Sequence, residues 1–280
     1  MRIAIVTASN SDEILSRNLL RSPLLQSLSV ELHVERDPPS AAAAYNRGLD
    51  ATTAEIVVFA HHDVFLPAGW DALLAERIAE VERQDPEWGL IGAFGIGLDE
   101  QEYGPVWSSS IGRIIGRVSL EPVPAQSYDE LLIVMRRGAG LRFDEAMPWF
   151  HFYGTDIVQT ARRAGRSAWI AALPVVRNDR AHGQLGADYR EAYHALRRKW
   201  RAQLPLRTST VKVSWHGLHL VRALRHLDSV SDAVRAQAVS HETDPERYAA
   251  FCGWRNLGSD TPPEEEAAPP AARPRRLSQA

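Results

Sequence analysis

The sequence predicts an α/β fold: three α/β/α layers around a mostly parallel central sheet, followed by a C-terminal helical extension. Three observations predict it. Strand-like and helix-like patterns alternate from Arg2 to Phe94, as in a sheet with helices on both faces. Ile56–Ala60 is apolar throughout, as in a strand covered on both sides, and it runs into His61-His62-Asp63. Past about residue 204, after one more strand pattern at Thr208–Ser214, short helical stretches follow.

The bounds agree with that class. A chain of 280 residues fits one large α/β domain or two small ones and can bury a substantial core. The expected division is a main domain over residues 1–203, with a nucleotide-binding half at 1–94 and an acceptor half at 95–203. A helical extension at 204–257 and a disordered tail at 258–280, rich in Pro, Glu, Ala and Arg, follow. A net charge of −3 gives no reason to expect a nucleic-acid partner. Cys252 is the single cysteine, so no internal disulfide forms, which fits a reducing compartment. Met1-Arg2 runs straight into a strand pattern, so no signal peptide is expected. Gly89–Leu98 is too short and too Gly-rich to span a membrane. A cytoplasmic protein is expected, with peripheral membrane association left open.

The elements follow in order. Arg2–Thr7 is a β-branched strand pattern ending on the small turn Thr7-Ala8-Ser9. Asn10 and Glu13 have capping-box spacing, which predicts a helix from there to about Arg21. Val30–Glu35 alternates as a strand and stops at Asp37-Pro38-Pro39. Ser40 can cap an Ala-rich helix, Ala41–Leu49, which carries Asn46 and Gly48. After the His-His-Asp turn, Trp70, Leu73, Leu74, Ile78 and Val81 recur at helical spacing over Trp70–Gln84. Trp88–Phe94 reads as a strand. Gly92, Gly95 and Gly97 lie too far from the first strand-to-helix turn to form a dinucleotide fingerprint. Gly95–Ser127 reads as an extended loop with a short strand near Ile114–Ser119. Asp129-Glu130 opens a strand to Arg136. Thr155 is positioned to cap a helix that Gly165 stops, with Asp156 in its first turn. Ala168–Leu173 is a strand, Arg177–Gly186 a polar loop with His182, and Ala187–Trp200 a helix with a cationic end. Thr208–Ser214 reads as a strand. Helices are expected at Leu218–Leu227, at Ala233–Val239 and after Asp244-Pro245.

Taken singly, the candidate groups have ordinary structural explanations. His61-His62-Asp63 sits at the carboxyl end of a buried strand, where ligands bind in open α/β sheets, yet an Asp there often only caps a turn. In extended backbone His61 and Asp63 point one way and His62 the other. Asp37, at the end of the second strand, can accept from a ribose or base, or simply face water. Asp156 complements the helix dipole in either case. Trp107, Trp149 and Tyr153 could stack on a sugar ring, although aromatic residues more often serve the core.

The order of the cues is more specific than any one of them. Asp37, Asn46-x-Gly48, Ile56-Val-Val-Phe-Ala-His-His-Asp63-Val and Leu66-Pro67-x-Gly69-Trp70 come first. Then come Phe143-Asp144-Glu145, Phe150-His-Phe-Tyr-Gly-Thr-Asp156, Ala161-Arg162-Arg163-x-Gly165, His182 and Lys199-Trp200. Over roughly Arg2–Trp200 this resembles the nucleotide-sugar glycosyltransferases of GT-A (Rossmann-like) fold, family 2 type. The resemblance implies roles by position. His61-His62-Asp63 stands where that family has Asp-x-Asp, with His61 in place of the first acid. It implies that Asp63, with His61 and His182, holds Mn²⁺ or Mg²⁺ against the donor diphosphate. An imidazole ligand would shift preference towards Mn²⁺. Thr7, Ala8, Ser9, Asp37, Asn46, His62 and Asp63 would contact the nucleotide, and Asp156 would be the catalytic base. Asp129, Glu130, Trp107, Trp149 and Tyr153 are weaker candidates for donor-sugar or acceptor contacts.

The implied activity is metal-dependent, inverting transfer from a nucleoside-diphosphate sugar to a hydroxyl acceptor by single displacement. A uridine diphosphate donor is the commonest case in the resembled family. A homo-oligomer is compatible with this reading. The alternatives are a protein that binds a nucleotide sugar without transferring it and, lower, a sugar nucleotidyltransferase. The latter normally needs a Gly-rich basic loop after the first strand, which Thr7-Ala8-Ser9-Asn10 is not.

Overall fold

The computed structural model describes residues 1–26, 30–179, 185–225 and 237–257. The expected helix Ala233–Val239 lies largely outside them, as do His182 and the tail 258–280.

The chain begins with β1 (Ile3–Ser9), α1 (Asp12–Arg17), β2 (Val30–Arg36), α2 (Ala41–Ala51) and β3 (Ile56–Ala60). It continues with β4 (Val64–Phe65), α3 (Trp70–Gln84), β5 (Trp88–Gly92), β6 (Gly95–Gly97), β7 (Glu102–Tyr103), β8 (Val106–Ser108) and β9 (Arg113–Ile115). Then come β10 (Val123–Tyr128), β11 (Leu132–Arg136), α4 (Tyr153–Arg163), β12 (Ser167–Ile170), β13 (Val175–Arg177) and α5 (Ala187–Lys199). A hairpin, Leu206–Arg207 with Lys212–Val213, and the helix Pro245–Phe251 lie beyond α5.

Nine strands form the central sheet in the order β2-β1-β3-β11-β5-β12-β10-β6-β7. β1 pairs in parallel with β2 and β3, and β5 in parallel with β12. Six of the nine strands share one direction; β11, β10 and β7 run against it. A second sheet, β4-β13-β8-β9, continues the chain past the end of β3.

The three layers follow from strand alternation. Ile3 and Ile5 of β1, with Ile56 and Val58 of β3, face α1 and α3 through Leu15, Trp70, Leu74, Ile78 and Val81. Val6, Val57 and Phe59 face the other way, onto α2 and α4 through Ala41, Tyr45, Ile157, Val158 and Ala161. Each large aliphatic residue so buried contributes about 1.5–3 kcal/mol. A separate apolar cluster joins Tyr189, Tyr193 and Leu196 of α5 to Val213 and Leu220.

Several local expectations are corrected. Ser11, not Asn10, caps α1 by accepting from Ile14 N, and the helix ends at Arg17. There Asn18 turns its amide onto Ile14 O and the chain passes into two 3₁₀ turns. Gly95–Ser127 is not a loop: it holds β6, β7, β8, β9 and most of β10. Thr208–Ser214 is only partly extended, as one arm of the hairpin. Thr155 does not cap α4. Phe152 occupies the cap at φ 64°, with no side-chain bond, and Thr155 lies buried inside the first turn.

Candidate active site

The site forms at the carboxyl ends of β1 and β3, where β3 meets β11. His61 N donates to Leu131 O at 3.0 Å, which extends the β3–β11 ladder by one bond. The next two residues turn into β4, and Asn178 N, just after β13, donates to Asp63 O at 2.8 Å. That bond extends the β4–β13 ladder by one rung, so the second sheet begins at Asp63, just past the end of β3.

The side chains separate, although residues 62–63 form a turn and not extended strand. His62 turns back to β1, its Nδ1 2.9 Å from Ser9 Oγ. His61 turns to the other side and meets Asp63, with Nδ1 3.8 Å from Asp63 Oδ1. Tyr153, the first residue of α4, sets the state of His61. Its hydroxyl has one proton and lies 2.9 Å from Glu130 O. With that proton on Glu130 O, His61 Nε2, 2.8 Å from the hydroxyl, is the donor; with the proton turned to Nε2, the ring hydrogen sits on Nδ1 and faces Asp63. Burial, assisted by Arg177, pushes the His61 imidazole down to about 4 against the pull of Asp63, so the ring is neutral. A neutral ring protonated at Nε2 has a bare Nδ1. Asp63 Oδ1, which Nδ1 faces, is buried and has no hydrogen-bond partner.

Arg177, at the end of β13, is a charged member of the site absent from the sequence-based candidates. Its guanidinium lies 3.6–3.9 Å from carboxylate oxygens of Asp63, Asp129 and Asp179. Burial opposes its charge, but the carboxylates prevail and hold it protonated. Burial pushes the Asp63 carboxyl up, whereas its charged neighbours, Arg177 foremost, pull it below the ordinary range. Three carboxylates against one guanidinium leave the cluster net negative. Glu130, beside it, is pushed up to about 8 by burial and then by Asp129. The one sequence signal for Arg177 is that it ends the apolar run Pro174-Val175-Val176, as His61 ends the run in β3.

The remaining candidates divide. Thr7 is buried with an unbonded Oγ1, and Asp37, at φ 45°, donates its backbone N–H to Ser9 O at 3.0 Å. Thr7, Ala8, Ser9 and Asp37 thus share the rim on the β1 side. A cavity of about 140 Å³ opens nearby, lined by Asn18, His62, Asp63, Asn178, Asp179 and His241 among others. Asn46 is not on that rim. Its amide donates to Phe143 O and to Glu145 and accepts from Phe143 N, so it pins the segment before α4. Trp107 is buried against Tyr248, with ring centroids 5.2 Å apart. Trp149 is exposed and donates to Glu191 at 2.8 Å. His182 lies outside the described residues.

Asp156 lies one residue past Thr155 in the first turn of α4 and is only 2% exposed. Its Oδ1 accepts from Trp200 Nε1 at 2.6 Å and its Oδ2 from Lys199 Nζ at 2.8 Å. Lys199 also bonds Asp144 at 2.6 Å. Burial raises the Asp156 carboxyl, and Lys199 and Trp200 oppose that rise without cancelling it.

Could these residues hold a divalent ion? Among the described residues no set of three His, Cys, Asp or Glu side chains is arranged for one. In the Nε2–H tautomer, His61 Nδ1 and the buried, unpartnered Asp63 Oδ1 nevertheless face each other at 3.8 Å as two acceptors. That is an imidazole–carboxylate half-site suited to Mn²⁺, whose remaining ligands could come from a diphosphate.

Comparison with known proteins agrees with this architecture. The curated relative "ATP synthase subunits region ORF 6" of Fuscovulum blasticum is 29% identical over 148 residues, 51% of this chain and 57% of that relative. The chain thus spans little more than half of its length. A crystal structure of GalNAc-T7 with UDP, GalNAc and Mn²⁺ aligns over 91% of this chain and 58% of its own, at TM-score 0.52 and 9% identity. That likeness concerns the fold alone and identifies it as GT-A. The sequence signature of the "Glycosyltransferase like family" matches residues 4–174. Because that match runs from β1 through the His61–Asp63 turn, Asp129 and Asp156 to the end of β12, this chain belongs to the glycosyltransferase-like family.

Proposed function

We propose that the chain transfers a sugar from a nucleoside-diphosphate sugar to a hydroxyl acceptor, with inversion and with a divalent metal. The observation that carries the reading is the unpartnered, buried Asp63 Oδ1 with His61 Nδ1 3.8 Å away, inside a net negative cluster. A donor diphosphate adds negative charge, so a cation between the two would relieve both. His61 and Asp63 would hold it, and when bound it supplies positive charge to the leaving diphosphate. The GT-A neighbour that holds UDP, GalNAc and Mn²⁺ supports this class, with UDP as the first donor base to test.

The chain's own residues divide the remaining work. Thr7, Ala8, Ser9 and Asp37 would receive the nucleoside, with the unbonded Thr7 Oγ1 free to bond it. Asp156 would take the acceptor proton. Lys199 favours its ionised form, and an oxygen turned away from Lys199 towards the acceptor would serve as the base. A single carboxylate acting behind the anomeric carbon gives inversion. Binding without transfer is the second reading, and the observation in its favour is that both oxygens of Asp156 are already engaged.

The test is calorimetric titration with UDP, GDP, dTDP and CDP, with and without Mn²⁺, followed by donor turnover. One nucleotide should bind in a Mn²⁺-dependent way and lose affinity in Asp63→Ala. Asp156→Asn should keep that affinity while turnover falls by about 10²–10⁴. Failure of all four nucleotides to bind folded protein in Mn²⁺ would overturn the reading. Tight binding with no turnover of any donor by the parent protein would favour the second.

A further inference from the structure

Charge is unevenly distributed along this chain. Between Ala192 and Leu227 there are eight Lys and Arg residues and no Asp or Glu, in a protein whose net charge is −3. The fold packs the end of this stretch against α5. The last turn of α5 carries Arg197, Arg198 and Lys199, with Arg201 just beyond. Arg197 reaches back to the turn before the next helix, since a Cβ on Gly217 would meet its guanidinium at 2.5 Å. Residues 218–225 are helical and add Arg222 and Arg225. His219 is held below the ordinary imidazole range first by burial and then by His216, Arg222, Lys212 and Arg207, which places these groups together.

Three of the eight cations have acidic neighbours. Lys199 bonds Asp156 and Asp144, Lys212 bonds Glu100, and Arg207 lies 3.9 Å from Glu102. Among the described residues, Arg197, Arg198, Arg201, Arg222 and Arg225 have no acidic partner. Beside Arg197, Arg222 and Arg225 stands an apolar group that the core does not use. Trp215 is 75% exposed, Leu218 55% and Val221 44%, while Leu220 on the opposite face is buried in the α5 cluster. Leu218 and Val221 are three apart on the helix, so they share its outer face with Arg222 and Arg225.

We propose that this face, with Trp215, Leu218 and Val221 at its centre and Arg197, Arg222 and Arg225 beside them, docks the protein on an anionic lipid bilayer. Charge complementarity selects the partner. Arginines attract anionic headgroups, while an exposed Trp and two aliphatic residues suit the boundary between headgroups and acyl chains. Nucleic acid would use the cations but would leave Leu218 and Val221 without a role. Among the described residues no helix is long and apolar enough to cross a membrane, so the contact lies on the surface. The inference does not depend on the transferase reading, because it uses none of the candidate catalytic groups.

Co-sedimentation of the full chain with vesicles tests it, using phosphatidylcholine alone and phosphatidylcholine mixed with phosphatidylglycerol. The protein should sediment with the mixed vesicles, much less with the neutral ones, and should be released by high salt. The double variant Arg222→Gln/Arg225→Gln should weaken binding roughly tenfold. Trp215→Ala/Leu218→Ser should weaken it in the same direction at low salt. Circular dichroism melts of both variants verify that they fold. Absence of sedimentation with mixed vesicles, or undiminished binding by both variants, overturns the proposal. So does a dimer that Trp215→Ala dissociates without any vesicle binding, since the face would then serve a second copy. Retention on single-stranded DNA without vesicle binding overturns it as well.

Discussion

At the scale of single residues, the site depends on which groups hold protons. Tyr153 has one proton, and placing it on Glu130 O gives the His61 tautomer in which Nδ1 is bare. Glu130 itself is the residue whose titration should be measurable in stability. Burial and then Asp129 push it from 4.5 to about 8, so the folded protein keeps this proton where the unfolded chain has lost it. The contribution is complete below the unfolded value and disappears as pH rises from about 4.5 to about 8. The side chain keeps some contact with water, which screens part of the effect. A loss of about 2 kcal/mol across that window is therefore expected. Urea unfolding at pH 5 and pH 8 should find the parent less stable at the higher pH, and Glu130→Gln should remove most of that difference. Equal slopes in parent and variant would mean that Glu130 titrates in contact with solvent. The sequence showed this residue only as one of an acidic pair. Its environment comes from Tyr153 and Arg177, which lie 23 and 47 positions away and reach it only in the folded chain.

At the scale of elements, what the sequence revealed is what local pattern can encode. The Trp70, Leu74, Ile78 and Val81 stripe located α3 at both ends, and the uninterrupted apolar run located β3. The short strands between Gly95 and Ser127 were missed because two or three residues carry no period. Their partners are also remote: β8 pairs with β13, some 69 positions later. Arg177 stayed hidden for the same reason, since its importance begins when β13 lies beside β4. Asn46-x-Gly48 was legible as a cue but not in its role. Asn46 fixes the Phe143 segment, and Gly48 lets α2 lie directly on β1. A Cβ at Gly48 would sit 2.2 Å from Val6 Cγ1 and 2.8 Å from Cγ2, and Val6 is a fully buried, β-branched side chain with little freedom to turn. In Gly48→Ala a helix-propensity gain of about 1 kcal/mol opposes an overpacking cost of about 1–3 kcal/mol. The steric term should win, lowering the urea midpoint by the equivalent of about 1 kcal/mol with an unchanged slope. A raised midpoint would show that α2 can lift from β1 at little cost.

At the scale of the whole molecule, the candidate site is held between two sheets, and the segment 237–257 helps to hold the second one. Val239 N donates to Ser109 O, Leu257 N donates to Ala68 O, and Arg21 pairs with Asp244 and Glu246. Tyr248 is the keystone of these contacts. It is fully buried, it stacks on Trp107 of β8, and its hydroxyl donates to Ser240 O at 2.6 Å. The segment also touches the site directly, because Asn178, the neighbour of Arg177, donates its side-chain amide to Thr243 O and to Asn18 Oδ1. Loss of Tyr248 should therefore affect both stability and the site. Tyr248→Ala removes a large buried ring and should cost about 3–5 kcal/mol, read as a lower thermal midpoint. Tyr248→Phe removes only the bond to Ser240 O and should cost about 1 kcal/mol. If the segment positions β13, Tyr248→Ala should also weaken nucleotide affinity at temperatures where the variant is still folded, whereas Tyr248→Phe should preserve it. A folded Tyr248→Ala variant with parental affinity would mean that the second sheet holds Arg177 and Asn178 in place without the segment. The central sheet and the β4–β13 pairing would then suffice to build the site.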